Sequence, residues 1–103
     1  MKKITVIWSE NALNDLDVIY DFLSEKSPKA AENIVATLLS RTTQLKVFPE
    51  SGQVQENISS TKTYRYLVEE DYKLIYSYTN GIIYIHTVFD CRKDPEKMKG
   101  ENS

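Results

Sequence analysis

Asn80-Gly81 sits between two runs of aromatic and β-branched residues, and no other feature restricts this chain's fold so tightly. A two-residue type I′ turn needs φ > 0 at both central positions, which asparagine and glycine tolerate best. Tyr72-Lys73-Leu74-Ile75-Tyr76-Ser77-Tyr78 stands before the turn and Ile82-Ile83-Tyr84-Ile85-His86-Thr87-Val88-Phe89 after it. A third run, Tyr64-Arg65-Tyr66-Leu67-Val68, comes earlier, separated by the weaker turn signal Glu69-Glu70-Asp71. Three such runs bounded by turn residues predict an antiparallel meander.

The turn also sets an expected register. With Asn80 and Gly81 as the loop, Thr79 faces Ile82, Ser77 faces Tyr84, Ile75 faces His86 and Lys73 faces Val88. Opposed residues share a face because side chains alternate. One face then carries Tyr72, Leu74, Tyr76, Tyr78, Ile83, Ile85, Thr87 and Phe89, and it needs a cover. The other carries Lys73, Ile75, Ser77, Tyr84, His86 and Val88.

The N-terminal half supplies the cover. Lys3 to Trp8 alternates as a strand should, with Ile4, Val6 and Trp8 on one side. Ser9 is a good N-cap, and Ala12, Leu13, Leu16, Ile19, Tyr20 and Leu23 then recur at helical spacing up to Glu25-Lys26. Asn14, Asp15, Asp17 and Asp21 read as the solvated side of that helix. Ser27-Pro28 restarts a helix, with serine as cap and proline in the first turn. Ala31, Ile34, Leu38, Leu45 and Phe48 form its apolar stripe, and Pro49 stops it. Residues 50–62 read as a loop. The predicted order is β-α-α-β-β-β: an α+β fold in which a two-helix hairpin covers one face of an antiparallel sheet. Which sheet edge takes the first strand stays open. One domain over residues 1–103 is expected, with residues 90–103 as a mobile tail.

A net charge of −2, spread evenly along the chain, argues against a surface-wide nucleic-acid field. The lone Cys91 excludes an internal disulfide and suits a reducing compartment, so a cytoplasmic protein is expected. No apolar run reaches transmembrane length, so no membrane partner is expected. One histidine and one cysteine supply no metal-ligand set, so neither a metal nor a cofactor is expected. The three glycines form no phosphate-cradling loop, and no hydrolase triad signature is present.

What remains is acid–base chemistry or phosphate binding on the open sheet face. His86 titrates near neutral pH. In the expected register Lys73 is its diagonal neighbour, and Arg92 continues the same parity beyond Asp90. Lys73 and Arg92 would brace a phosphate while His86 moves a proton, the parts that RNA cleavage through the 2′-hydroxyl requires. The plainer alternative is a surface-strand histidine flanked by solubilising charges. Tyr64 and Tyr66 offer stacking faces for bases, or simply pack a half-buried sheet. With Arg65 and Tyr84 they are the candidate substrate- or partner-binding residues. Ile75, Tyr84 and Val88, rimmed by charge, form an expected interaction surface.

Several motifs occur in a telling order: Trp8-Ser9-Glu10-Asn11-Ala12 opening the first helix, Ser27-Pro28 between the helices, and Phe48-Pro49-Glu50-Ser51-Gly52 after the second. Tyr64-Arg65, Tyr72-Lys73-Leu74-Ile75-Tyr76 and Val88-Phe89-Asp90-Cys91-Arg92-Lys93-Asp94-Pro95 complete them. Together they resemble the RelE/ParE superfamily, toxins of type II toxin–antitoxin systems. The resemblance implies the fold just derived and an antitoxin partner whose extended tail wraps the toxin.

The superfamily has two activities. The RelE-like branch cuts ribosome-bound mRNA without a metal, and the ParE-like branch poisons DNA gyrase. Carried over by position, the cleaving branch's basic residue after the first tyrosine of Tyr-x-x-x-Tyr is Lys73, and its arginine closing the last strand is Arg92. Its C-terminal tyrosine is replaced by Met98, and its lysines on the preceding strand fall near Tyr64 and Tyr66, with only Arg65 close by. His86 would substitute in part, as a histidine does in some relatives. The Arg-Lys-Asp-Pro ending and the acidic pI resemble the ParE side. The expectation is therefore a gyrase-directed toxin, with a RelE-like ribonuclease using Lys73, His86 and Arg92, or a non-toxic antitoxin-binding module, as alternatives.

Overall fold

A computed structural model describes residues 3–56 and 62–92. The elements run β1 (Thr5–Trp8), α1 (Glu10–Ser24), α2 (Pro28–Gln44), β2 (Gln53–Gln55), β3 (Tyr64–Glu69), β4 (Tyr72–Thr79) and β5 (Ile82–Asp90). They form one five-stranded sheet in the order β1-β5-β4-β3-β2. The meander stands as expected. Asn80 and Gly81 have φ of 53° and 80°, and Thr79 pairs with Ile82 across them. Glu70, in the other turn, also has a positive φ of 54°.

Both helix starts carry the expected caps. The Ser9 hydroxyl accepts from the Ala12 amide at 2.9 Å, and the Ser27 hydroxyl from the Ala30 amide at 3.1 Å. Each cap satisfies an amide left without an intrahelical partner. The hairpin buries Ala12, Leu16, Ile19, Ile34, Leu38 and Leu45 against Tyr72, Leu74, Tyr76, Ile83, Ile85 and Val88 of the sheet. Ile4, Val6, Trp8 and Leu23 pack on this core as expected. Each fully buried leucine or isoleucine contributes roughly 1.5–3 kcal/mol.

Several expectations need correction. β1 joins β5 in parallel, with Thr5 opposite Ile82, so the sheet is mixed. The stretch read as a loop contains β2, which pairs antiparallel with β3. Leu13, Tyr20 and Phe48 are exposed, at 50%, 37% and 65%. α2 ends at Gln44, four residues before Phe48, so the helical spacing does not extend that far.

The register is right from Thr79–Ile82 to Tyr76–Ile85 and then slips: Ile75 faces Thr87 and Lys73 faces Phe89. β5 therefore holds one extra residue, His86, in a β-bulge. Beyond it the parity of β5 inverts. Val88 moves to the helix-covered core, while Thr87 and Phe89 move to the open face with Lys73. Of the expected interaction surface Val88 is thus lost, and Ile75 is only 7% exposed. Tyr84 remains on it, beside exposed Ile7 and Ile82.

Candidate functional site: the bulge on the open face

The slip gathers an aromatic and polar cluster on the face away from the helices. Tyr64 of β3 and Tyr84 of β5 both pair with Ser77 of β4, from opposite sides. The His86 ring stands between the two tyrosines, edge-to-face with each, at centroid distances of 4.9 Å and 4.8 Å. Its Nε2 lies 2.9 Å from the Ser77 hydroxyl. Burial lowers the His86 pKa below its ordinary value, and the charge of Lys62 lowers it further. The imidazole is consequently neutral at pH 7. A depression of about 400 Å³ opens beside it, lined by Lys62, Ser77, Thr79, Ile82, Tyr84 and His86.

Lys73 shares this face, as expected, but is buried, 3% exposed. Its Nζ lies 4.1 Å from the Tyr66 ring centroid, in cation–π contact. Burial lowers its pKa. Tyr66, paired with Ile75, therefore serves Lys73 rather than the His86 cluster. Cys91 is itself pushed up by burial, which keeps the thiol protonated and unreactive at neutral pH.

Arg92 does not continue the parity of β5, because the bulge has inverted it. Its guanidinium folds back onto Asp90, with Nη2 to Oδ2 at 3.0 Å and Nε to Oδ1 at 3.2 Å, and reaches Asp71 at 3.4 Å. These two carboxylates raise its pKa. Arg65 lies on the opposite face, paired with Tyr76. It donates from Nη1 to the Glu50 and Gly52 carbonyls at 3.1 Å and 2.9 Å. Tyr76 completes that brace: its hydroxyl donates to the Pro49 carbonyl at 2.9 Å and accepts from the Gly52 amide at 3.0 Å. The Pro49-Glu50-Ser51-Gly52 motif is thus a turn pinned to the sheet. Of the seven candidate residues, the structure brings together Tyr64, Tyr84 and His86, pairs Lys73 with Tyr66, and leaves Arg92 and Arg65 in separate contacts.

Four residues of the site were not singled out as candidates from sequence. Ser77 and Lys62 belong to the His86 cluster. Asn11, and Asp15 from the helix face read as solvated, reach the bulge. The Asp15 Oδ2 accepts from the Val88 amide at 2.9 Å and the Thr87 hydroxyl at 2.8 Å. Asn11 Nδ2 donates to the His86 carbonyl at 3.2 Å, and so does the Ser9 hydroxyl at 3.1 Å. Only the i, i+4 spacing of Asn11 and Asp15 hinted that the two act together.

Among the described residues, no group of three His, Cys, Asp or Glu side chains comes together as a metal site would require, and no helix is long and apolar enough to cross a membrane.

Comparison with known proteins agrees with this architecture. The sequence model described as the ParE toxin of the type II toxin–antitoxin system, parDE, matches residues 6–95. A curated relative, "Toxin RelE2" of Caulobacter vibrioides, is 32% identical over 81 residues, covering 78% of this chain and 86% of the relative. A solved structure described as the chromosomal ParDE TA system from P. aeruginosa superposes with a TM-score of 0.70 at 20% identity, covering 85% of this chain and 96% of that one.

Proposed function

The chain belongs to the ParE toxin family of type II toxin–antitoxin systems, and from that premise we propose that it arrests growth by binding DNA gyrase rather than by cutting mRNA. One observation carries this reading: the groups a cleaving site would bring to one phosphate are engaged apart. Arg92 is held by Asp90 and Asp71, and Lys73 is buried over Tyr66. Phosphoryl chemistry requires its base and cations at one reacting centre. A binding surface has no such requirement, and exposed Ile7, Ile82 and Tyr84 around the bulge supply apolar area for one.

A second reading, metal-independent mRNA cleavage, is favoured by the neutral imidazole at the depression, which is ready to accept a proton. The likeness to a relative named Toxin RelE2 points the same way.

The two readings part in one experiment. The chain is induced alone in a bacterial host, and plasmid supercoiling and mRNA integrity are followed together. Loss of supercoiling with uncut mRNA is the expected result, and His86→Gln should still arrest growth. Cut mRNA with normal supercoiling, abolished by His86→Gln, would overturn the gyrase reading.

A further inference from the structure

The bulge at His86 is held from the other side of the sheet. α1 packs on the covered face, yet three polar side chains from its start reach the β5 backbone at the bulge. Ser9 and Asn11 both donate to the His86 carbonyl, and Asp15 takes the Val88 amide and the Thr87 hydroxyl. The Ser9 amide also donates to the Ile85 carbonyl at 3.0 Å. Residues 85–88 are thereby bonded at four successive positions to one turn and a half of helix.

A bulge disrupts the ladder and leaves backbone groups without their strand partners, and such groups must find others. Here the helix supplies them. Without them, the expected alternative is the regular register, with Ile75 opposite His86 and Lys73 opposite Val88. That register would place Val88 on the open face and remove it from the core, so the choice between the two is discrete.

We infer that Ser9, Asn11 and Asp15 are positioning residues, which hold the bulge so that the His86 ring stands against Ser77 between Tyr64 and Tyr84. Asp15 is the principal one. Its carboxylate bonds two groups of β5 at 2.8 and 2.9 Å, and hydrogen bonds to a charged acceptor are about twice as strong as neutral ones. α1 thus sets the geometry of the cluster through the backbone of β5. This role is independent of the toxin's target.

The chain has one histidine, so its ring signals in an NMR spectrum belong to His86 without assignment. The purified full-length protein is titrated by following those signals, and exchange of the Val88 amide is measured in parallel. Asp15→Leu should move the His86 titration upward, toward the ordinary value, and shift the ring signals as the contacts with Tyr64 and Tyr84 are lost. Exchange at Val88 should quicken by about tenfold or more, as expected for losing a bond to a charged group. Asp15→Asn keeps an acceptor oxygen but loses the charge, and should fall between wild type and Asp15→Leu. Asn11→Ala removes the bonds to the His86 carbonyl and to Asp15, Thr87→Val removes one bond to Asp15, and both should move the signals less, in the same direction, should Asp15→Leu fail to fold. Asp21→Ala, an exposed change on the same helix, is the control and should move nothing. Unchanged His86 signals and titration in folded Asp15→Leu, or in both milder variants, would overturn the assignment. So would an equal disturbance by Asp15→Asn and Asp15→Leu, which would make the charge and not the acceptor responsible.

Discussion

Single side chains in this protein do work that their type alone does not announce. Tyr76 is wholly buried, yet its hydroxyl both donates to Pro49 and accepts from Gly52, and burial raises its pKa. Tyr76→Phe leaves the Gly52 amide and the Pro49 carbonyl without their partner, at a cost of about 1–3 kcal/mol in denaturant unfolding. Gly52 is required for the same contact: a Cβ there would sit 2.6 Å from the Tyr76 hydroxyl oxygen and 2.9 Å from the Tyr66 carbonyl oxygen. Gly52→Ala should therefore destabilise by about 1–3 kcal/mol, and the backbone carbonyl leaves no direction in which to yield. His86 gives a pH signature. Its folded value lies below 6.5, so on acidification the unfolded chain takes up the proton first. Its contribution is complete above about pH 6.5 and is lost as the pH falls toward the folded value. The denaturant midpoint should drop across that window, and His86→Gln should flatten the drop.

At the scale of helices and strands, stability rests on the hairpin's buried stripe. Leu38 is 2% exposed and Leu16 8%. Truncation of either to alanine should cost about 2–5 kcal/mol, read as a lower unfolding midpoint. Leu13→Ala, on an exposed position of the same helix, should cost far less. The same elements show what could be read in advance. The Asn80-Gly81 turn dictates pairing for four residue pairs, because a hairpin loop controls register locally. It does not reach past Tyr76, because the bulge is stabilised by Ser9, Asn11 and Asp15, more than 70 positions away. Nothing local to β5 marks His86 as the extra residue. β2 escaped notice because three residues are too few to show alternation. The meeting of Tyr64, Tyr84 and His86 follows from the part of the register that was legible. The burial of Lys73 does not, since lysine is seldom found inside without a compensating contact, here the Tyr66 ring. Arg65 and Arg92 were read as outward charges because sequence shows a guanidinium but not the carbonyls or carboxylates that claim it.

As a whole, the molecule presents two unlike surfaces: an open sheet face with exposed Ile7, Ile82 and Tyr84, and a shallow apolar groove between the helices lined by Leu13, Leu16, Tyr20 and Val35. Membership of the toxin family implies an antitoxin, and co-expression with it should relieve growth arrest and yield a complex that survives size-exclusion chromatography. An arrest that the antitoxin leaves unrelieved would contradict that partnership. The sheet order also has a bearing on how the molecule comes into being. β1 has a single neighbour, β5, and the pairing joins Thr5 to Ile82. During synthesis β1 emerges long before its partner β5 and waits until nearly all of the described chain has followed. The same delay applies to the Ser9, Asn11 and Asp15 contacts, whose acceptors and donors lie in β5. Closing so long a loop is entropically costly and slow, so β1 docking belongs to the end of folding. A partly made chain thus holds β1 unpaired and helices without their sheet, and the toxin fold closes only when β5 is complete.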